Sequence, residues 1–505
     1  MSMVNAATAE GGFGPPISTV AGSGVAGFAG DGEPAVSAAL NRPLGVAMDS
    51  TGTLYVADSG NHRVRKITAD GKISTVAGTG VAGFGGDQGP AFSAKLSSPH
   101  GVAVDSAGTL YIADSGNHRI RKITTDGKIS TVAGGATAGF DGDDGPASSA
   151  LLNNPHGVAV DSTGVLYIAD RGNHRIRKIT TDGKISTVAG GSTAGFDGDD
   201  GPASSALLNS PHGVAVDSTG VLYIADRGNH RVRKITDGKI STIAGTGTAG
   251  SGGDDGPAST AQLDSPHGVA VDSTGVLYIA DHGNHRIRRI TTDGKISTVA
   301  GTGVAGFGGD QGPAVSAQLD RPMGLAVDCV DTLYIADSDN HRIRKITSPK
   351  TAGLPDSGTV VSWANVRSRL RMGIARESTA DGAEVHQLLA VPRGHQRWRL
   401  VAAGQDDGDV FYRIENVRSG KVVEVAAQEA AGAVAVQRAY EGAGAHHQQW
   451  KLIPVGSGSD TPQVYEIANR QSGLRLSVDT NARAAIKQQE AEGDGRSSQW
   501  QLLPA

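Results

Sequence analysis

Residues 157–189 read GVAVDSTGVLYIADRGNHRIRKITTDGKISTVA. Four short runs alternate with turn residues. Residues 157–161 (GVAVD) are small and apolar. After Ser-Thr-Gly comes 166–170 (LYIAD), and after Arg-Gly-Asn comes 175–179 (RIRKI). An Asp-Gly pair then leads into 185–189 (ISTVA). Val, Ile and Tyr inside the runs, with Gly, Asn and Asp between them, are the chemistry of strands joined by tight hairpins. The stretch therefore predicts four consecutive antiparallel strands.

The same stretch recurs along the chain. Asn-His-Arg begins at Asn61, Asn117, Asn173, Asn229, Asn284 and Asn340, at spacings of 56, 56, 56, 55 and 56. ISTVAG or ISTIAG begins at Ile17, Ile73, Ile129, Ile185, Ile240 and Ile296. Six copies of a four-strand unit predict a β-propeller with six blades. The order at the two ends predicts how the ring closes. The first recognisable strand, in 17–22, is of the fourth type, and the last unit stops after 342–346 without one. The N-terminal strand should complete the sixth blade and remove a long exposed edge. Gly45, Gly101, Gly157, Gly213, Gly268 and Gly324 open the innermost strands, where six strands crowd round the channel.

These residues resemble the NHL repeat family, with Arg in place of Leu as the third residue of the name-giving string in all six copies. The resemblance covers residues 17–347. It implies the propeller fold. For function it implies only a range: NHL propellers bind proteins, RNA or small ligands, and a few are lyases.

Residues 1–16 read as a tail, and 348–358 (SPKTAGLPDSG) as a linker. Beyond the linker a second repeat appears. Trp398, Trp450 and Trp500 each close a Gln-x-Trp or similar string, 52 and 50 residues apart. Each is preceded by a matching stretch opening at Asn365, Asn416 or Asn469. Three such units in residues 359–505 resemble a ricin-type β-trefoil lectin, so the whole chain is expected to be all-β. The resemblance implies that Trp398, Trp450 and Trp500 pack in the core. It also implies one sugar site per unit, built from an early acid, a middle aromatic ring and a polar pair before the Trp. In the first unit these positions hold Gly373, Leu388 or Leu389, and His395 with Gln396. In the third they hold Ser477, Glu490 or Ala491, and Ser497 with Ser498. The middle unit alone keeps all three parts, so Glu424, Gln437, Tyr440, His447 and Gln448 are the expected carbohydrate site. Glu replaces the Asp usual in the family.

Within the propeller, four units place Pro-His-Gly before the innermost strand, giving His100, His156, His212 and His267; the other two have Leu44 and Met323 there. Four imidazoles are expected along one arc of a channel mouth. Convergent imidazoles could hold a divalent metal with an open position, and some NHL lyases carry a channel metal. A repeated structural element explains the same pattern. His62, His118, His174, His230, His285 and His341 occur once per unit and read as structural. Asp58, Asp114, Asp170, Asp226, Asp281 and Asp337 end the second strand and are expected to accept backbone N–H bonds of the following turn. The Arg-x-Arg-Lys runs read as solvated outer strands with packed aliphatic stems. Asp141, Asp143 and Asp144, and again Asp197, Asp199 and Asp200, resemble the start of a calcium loop but lack its later bidentate Glu.

Composition bounds the function. Of 505 residues 73 are Gly, about twice the usual share, while the 4 Trp all lie after residue 350. The net charge of −5 argues against a nucleic-acid partner. No apolar run is long enough for a membrane helix. Cys329 is the sole cysteine, so no disulfide framework exists. The first residues lack the basic and apolar segments of a secretory signal, so the expected compartment is the cytoplasm unless export takes a non-standard route. The Ala- and Gly-rich composition resembles that of a high-GC bacterium. The expectation is a monomeric, non-enzymatic recognition protein without a cofactor. Its trefoil would bind carbohydrate, galactose-type among the candidates, and its propeller a protein or small ligand. Two alternatives stand beside it. One is a lyase or lactonase with a channel metal on His100, His156, His212 or His267. The other is a protein scaffold whose trefoil has lost sugar binding.

Overall fold

Each LYIAD run buries Leu, Ile, Ala and Asp against neighbouring blades, which is why a pattern of short apolar strands stacks into a ring. A computed structural model of the chain describes residues 15–49, 51–328, 331–347, 359–368, 370–390, 394–406, 409–425, 431–442, 444–455, 464–478, 484–489 and 498–504. Cys329, the linker and the positions of Glu490, Ala491 and Ser497 lie outside these. The chain divides into two compact units, the first ending at Thr347 and the second made chiefly of Ser348–Ala505.

The described residues of the first unit form six four-stranded antiparallel sheets. The third runs Val158–Val160, Leu166–Asp170, Arg175–Ile179 and Ile185–Ala189, in sequence order from the channel outward. The sixth runs Pro322–Val327, Leu333–Asp337, Arg342–Ile346 and then Ile17–Ala21, which pairs Ile17 with Ile346 and Ala21 with Ile343. The N-terminal strand closes the ring as its sequence predicts.

The inner glycines sit where they do because backbones touch there. A Cβ on Gly157 would lie 2.4 Å from the carbonyl oxygen of His212, and on Gly324 2.4 Å from that of Leu44. The same contact repeats at all six positions. Blade joins blade through Gly101 N–H to His156 O and Gly157 N–H to His212 O.

The Asn-His-Arg string is a second set of joints. Each His takes the left-handed conformation after a single 3-10 turn, with φ of 56° at His174. Its Nδ1 then accepts the backbone N–H of the next blade: His62 from Ser98, His118 from Asn154, His174 from Ser210, and finally His341 from Arg42 across the closure. Six copies exist because a six-bladed ring has six joints. The Asn of the string donates Nδ2 to the strand-two Asp, as Asn117 does to Asp114 at 2.8 Å.

Two expectations need correction. The strand-two Asp does not accept backbone N–H groups of the following turn. Asp114 accepts N–H of Ser97, seventeen residues earlier, and the following turn supplies only the Asn117 amide. The Arg-x-Arg-Lys run is the third strand, not a solvated outer one. Its middle Arg (Arg65, Arg121, Arg177, Arg233, Arg288, Arg344) is fully buried. Arg121 lies between Asp87 at 2.6 Å and Asp114 at 3.3 Å, and its guanidinium carbon sits 4.9 Å from the Phe84 ring centre. A charge survives burial only when paired and hydrogen-bonded, and this one has two carboxylates. Blade five has Ser251 where the other five have Phe; there Arg288 turns to place Nε and a terminal nitrogen on Asp254. The calcium-like loops serve the same pairs. Asp143 meets Arg177 and accepts from Thr187 Oγ1, and the Asp199 carboxylate meets Arg233.

The second unit is a closed six-stranded barrel of Val360–Asn365, Trp398–Asp406, Asp409–Asn416, Trp450–Pro454, Val464–Asn469 and Gln499–Pro504, each paired to the next and the last to the first. Three hairpins accompany it: Arg371–Ile374 with Ala383–Leu388, Val422–Val425 with Ala435–Arg438, and Arg475–Ser477 with Lys487–Gln489. Barrel plus three hairpins is the β-trefoil. Trp398, Trp450 and Trp500 are fully buried. Each indole Nε1 donates to a hairpin carbonyl, of Met372, Val423 and Leu476 respectively. Asn365, Asn416 and Asn469 cap their turns through Oδ1 and donate Nδ2 to the carbonyls of Gln499, His395 and His447, each in or just before the Trp string of the preceding unit. Among the described residues no helix is long and apolar enough to cross a membrane.

Candidate functional site

The middle trefoil unit is built on the hairpin Val422–Val425 and Ala435–Arg438 and on the 3-10 turn His446–Gln448. Glu424 is 4% exposed. One of its oxygens accepts from Gln448 Nε2 at 2.9 Å, and the other meets Arg438 Nε at 2.8 Å. His447 Nε2 lies 3.7 Å from Glu424 and 3.7 Å from Glu441. Tyr440 is half-buried, with the Arg413 guanidinium 4.6 Å from its ring centre. Glu424, Glu441 and His447 are also the one set among the described residues whose possible metal-ligating atoms gather within 4.8 Å. The Arg438 cation on Glu424 opposes a second cation there.

Two expected site residues are framework instead. Gln437 is fully buried. Its Oε1 accepts from Ser419 Oγ, and its Nε2 donates to the carbonyls of Ser378 and Ala380. Gln448 is also fully buried; it holds Glu424, the Ala439 carbonyl and the Glu441 N–H. Neither amide has a group left for a ligand. Gln448 acts by fixing the Glu424 carboxylate and the loop that carries Tyr440. Gln437→Ala should therefore lower trefoil stability by about 2 kcal/mol, from the unsatisfied hydroxyl and carbonyls it leaves behind. A thermal melt checks this, and unchanged stability would contradict the framework role.

In the first unit, the acid position is closed. A Cβ on Gly373 would meet Gln396 Cγ at 2.9 Å and Leu388 Cδ1 at 3.0 Å. His395 and Gln396 are buried, and Leu389 is exposed. In the third unit Ser477 and Ser498 are buried.

The propeller holds a second constellation. The channel mouth is a cavity of about 70 Å³, with His100, His156, His212 and His267 along one arc and Leu44 and Met323 opposite. The imidazoles stack on one another rather than pointing at a shared centre. His100 lies on His156 at 3.7 Å, and His156 meets His212 edge-on at 4.2 Å. His212 meets His267 at 4.1 Å. His156 and His212 share a hydrogen bond between their Nδ1 atoms at 3.1 Å. Burial, reinforced by Arg171 and Arg42, pushes His100 down to about 3. Burial likewise holds His156, His212 and His267 well below the usual histidine range. The arc is therefore neutral at pH 7.

A fifth ring, His282, lies 4.0 Å from His267, and the Pro-His-Gly pattern does not point to it. Its position comes directly after the strand-two Asp, where the other blades have Ser59, Ser115, Arg171, Arg227 and Ser338. Variation at that place in an otherwise copied unit is the signal that could have found it.

The description of NHL repeats matches residues 40–67, 96–123, 152–179, 208–235, 263–290 and 319–346, the first three strands of each blade. The first unit is an NHL-repeat β-propeller. The description of a ricin-type β-trefoil lectin domain-like family matches 351–438 and 394–461. The second unit is a trefoil of that lectin-like kind, fused to the NHL propeller. Human NHL repeat-containing protein 2 is 31% identical over 303 residues, covering 52% of this chain and 41% of that one. Human Teneurin-4 is 30% identical over 363 residues, covering 62% and 12%. The chain thus spans less than half the length of these relatives. A solved protein of unknown function from Bacteroides thetaiotaomicron matches 66% of this chain and 76% of its own at 22% identity and a TM-score of 0.50, which shows likeness of fold.

Proposed function

We propose that the chain is a non-enzymatic recognition protein that binds carbohydrate, of galactose type in the first instance, through the middle unit of its trefoil. The NHL propeller of the same chain offers a rigid ring for a protein or a small ligand. The observation that carries this reading is the placing of Glu424, Tyr440 and His447 in one unit, with the carboxylate braced by Gln448 and Arg438. A carboxylate held in place can fix sugar hydroxyls, and an aromatic ring can stack on the apolar face of a pyranose. The closed acid position at Gly373 argues for one site and hence for weak, monovalent binding.

Retention on galactose resin and a glycan array test the reading. Tyr440→Ala should abolish retention while leaving the melting curve within about 1 kcal/mol of the parent, since the ring is half-buried and lies in the segment that follows the Ala435–Arg438 strand. Retention that survives Tyr440→Ala, or no glycan binding by the parent, would sink it.

A further inference from the structure

We propose that the arc formed by blades six, one and two is a docking surface for a protein partner, through a peptide segment that intersperses apolar and acidic residues. The proposal rests on the reading of the propeller as a ring for a protein partner and deepens it; it is independent of the trefoil site.

The surface is a departure from copying. A loop runs from each outer strand to the inner strand of the next blade. Before blades six, one and two these loops are 301–321, 22–42 and 78–98. Their fourth residue is Val304, Val25 or Val81, where the loops before blades three, four and five have Thr137, Thr193 and Thr248. Further on they carry Val315, Val36 and Phe92, where the other three have Ser148, Ser204 and Ser259. Val304, Val25 and Val81 are 60%, 67% and 59% exposed, and Val315, Val36 and Phe92 are exposed too. The fold does not require these side chains, since the other half of the ring does without them. Contiguous apolar surface left in water marks an interaction site.

Hydrogen bonds gather the six positions into one strip. Gly22 N–H donates to Ala35 O and Ser23 N–H to Ala38 O, so the 3-10 turn that carries Val36 lies against the start of the loop that carries Val25. Gly78 with Ala91, and Gly301 with Ala314, repeat the contact. Arginines link one loop to the next. The Arg342 guanidinium carbon lies 3.6 Å from the Phe307 ring centre, and the same side chain donates to Ser23 O. Arg63 lies 3.7 Å from the Phe28 ring centre and donates to Thr79 O. Phe307, Phe28 and Phe84 are themselves exposed, so apolar groups continue from loop to loop. The strip ends at blade five, whose loop has Ser251 in place of Phe.

Charge identifies the occupant. The loops before blades three, four and five hold nine Asp and no Lys or Arg. The loops of the arc hold five acids, and each adds an exposed cation: Arg321, Arg42 or Lys95. Three of those acids, Asp310, Asp31 and Asp87, are committed to the buried Arg344, Arg65 and Arg121. Arg342, Arg63 and Arg119 are partly exposed and, among the described residues, bond only to backbone carbonyls. A guanidinium stacked on a ring keeps its charge for a partner's carboxylate. A peptide with acids between its apolar residues therefore suits the arc, and the acid-rich loops of the other half turn it away. A second copy of the chain suits it less. A two-fold contact sets the arc's cations against themselves, and a contact with the other half of a ring sets its valines against Thr and Ser.

Selection on the full chain from a random peptide library displayed on phage tests this. Enriched sequences are expected to combine Leu, Phe or Trp with Asp or Glu. One of them, made as a labelled synthetic peptide, should bind in a fluorescence anisotropy titration with an affinity that falls as salt rises. Val25→Thr with Val81→Thr and Val304→Thr should weaken binding at least about tenfold. Val36→Ser with Phe92→Ser and Val315→Ser should do the same. Both sets install, at exposed positions, the side chains that the other three blades already carry there, so the ring keeps its melting temperature. Enriched peptides that lack acids, or that bind both variants as they bind the parent, overturn the arc and leave the propeller free to take a protein elsewhere on its ring. No enrichment overturns the arc and the protein-binding reading of the propeller together. A dimer of the parent that the Val→Thr variant loses also overturns the proposal, because the occupant is then a second copy.

Discussion

Arg121→Met is expected to destabilise the propeller by about 4 kcal/mol, because it breaks a buried ion pair from one side. Met fills much of the volume, so the loss is electrostatic rather than a cavity effect. Asp87 is about one-third exposed and water takes over its charge. Asp114 has no exposure and keeps only Asn117 Nδ2 and the Ser97 N–H. Burial already pushes the Asp114 carboxyl up, and Asn117, Ser97 and Arg121 pull it down. Without Arg121 it rises further. A carboxyl whose folded pKa lies above its unfolded value binds more protons in the native state, so stability increases as pH falls towards the unfolded value. The defect of Arg121→Met should therefore shrink in mild acid. Adding Asp114→Asn should recover part of the loss at pH 7, with coupling above about 1 kcal/mol in a double-mutant cycle. Urea melts at pH 7 and pH 5 measure all of this. Simple additivity, or a defect that grows in acid, would show that Arg121 acts by packing alone.

The fold is legible in the sequence because a ring of blades must repeat its contacts. Each blade strand, the closing role of Ile17–Ala21 and the inner glycines follow from spacing and residue type, and the buried indoles follow from the resemblance to the ricin-type trefoil family. What a strand pattern does not carry is the partner of a charge. Arg121 looks like a solvent-facing residue because its two carboxylates are seven residues before it and thirty-four residues before it, outside any local window. The strand-two Asp misleads for the same reason, since its backbone donor Ser97 belongs to the loop before the inner strand. The candidate sites show the limit more sharply. Polar residues next to the Trp can be grouped by alignment of three units, but burial decides which of them face outwards. Gln437, Gln448 and Glu424 are all buried, whereas Tyr440 and His447 stay partly exposed, a difference that composition and spacing do not encode. At the channel mouth the four Pro-His-Gly histidines are visible as copies, whereas His282, packed on His267, is visible only as a departure from copying.

Removing the chain through Ala21 should unfold the propeller at room temperature or convert it to aggregates, a loss above about 5 kcal/mol. The strand is small, but it belongs to two cores. Ile17 packs with Leu333, Ile335 and Ile346, and Ala21 with Leu40, Val46 and Ile343, so one strand joins blade six to both its neighbours. Around it the ring is laced by Ile17 N–H to Gly312 O, Gln311 N–H to Ile17 O and Thr19 Oγ1 to Asp310, the partner of Arg344. Truncation would expose the Arg342–Ile346 edge to pairing with another copy, the usual hazard of an unpaired strand. It would also leave the joint from His341 to Arg42, the Arg42–Asp339 pair and the packing of Pro322–Val327 on Pro43–Met48 as the ties between the last blade and the first. A permutation separates closure from mere strand loss. If residues 15–24 are moved to come after Thr347, blade six gains its fourth strand in the order every other blade already uses. The ring should then recover cooperative unfolding close to that of the parent. Light scattering and calorimetry distinguish the outcomes. A truncated chain that stays monomeric and melts like the parent would mean that the His joints and inner-strand contacts close the ring without the strand.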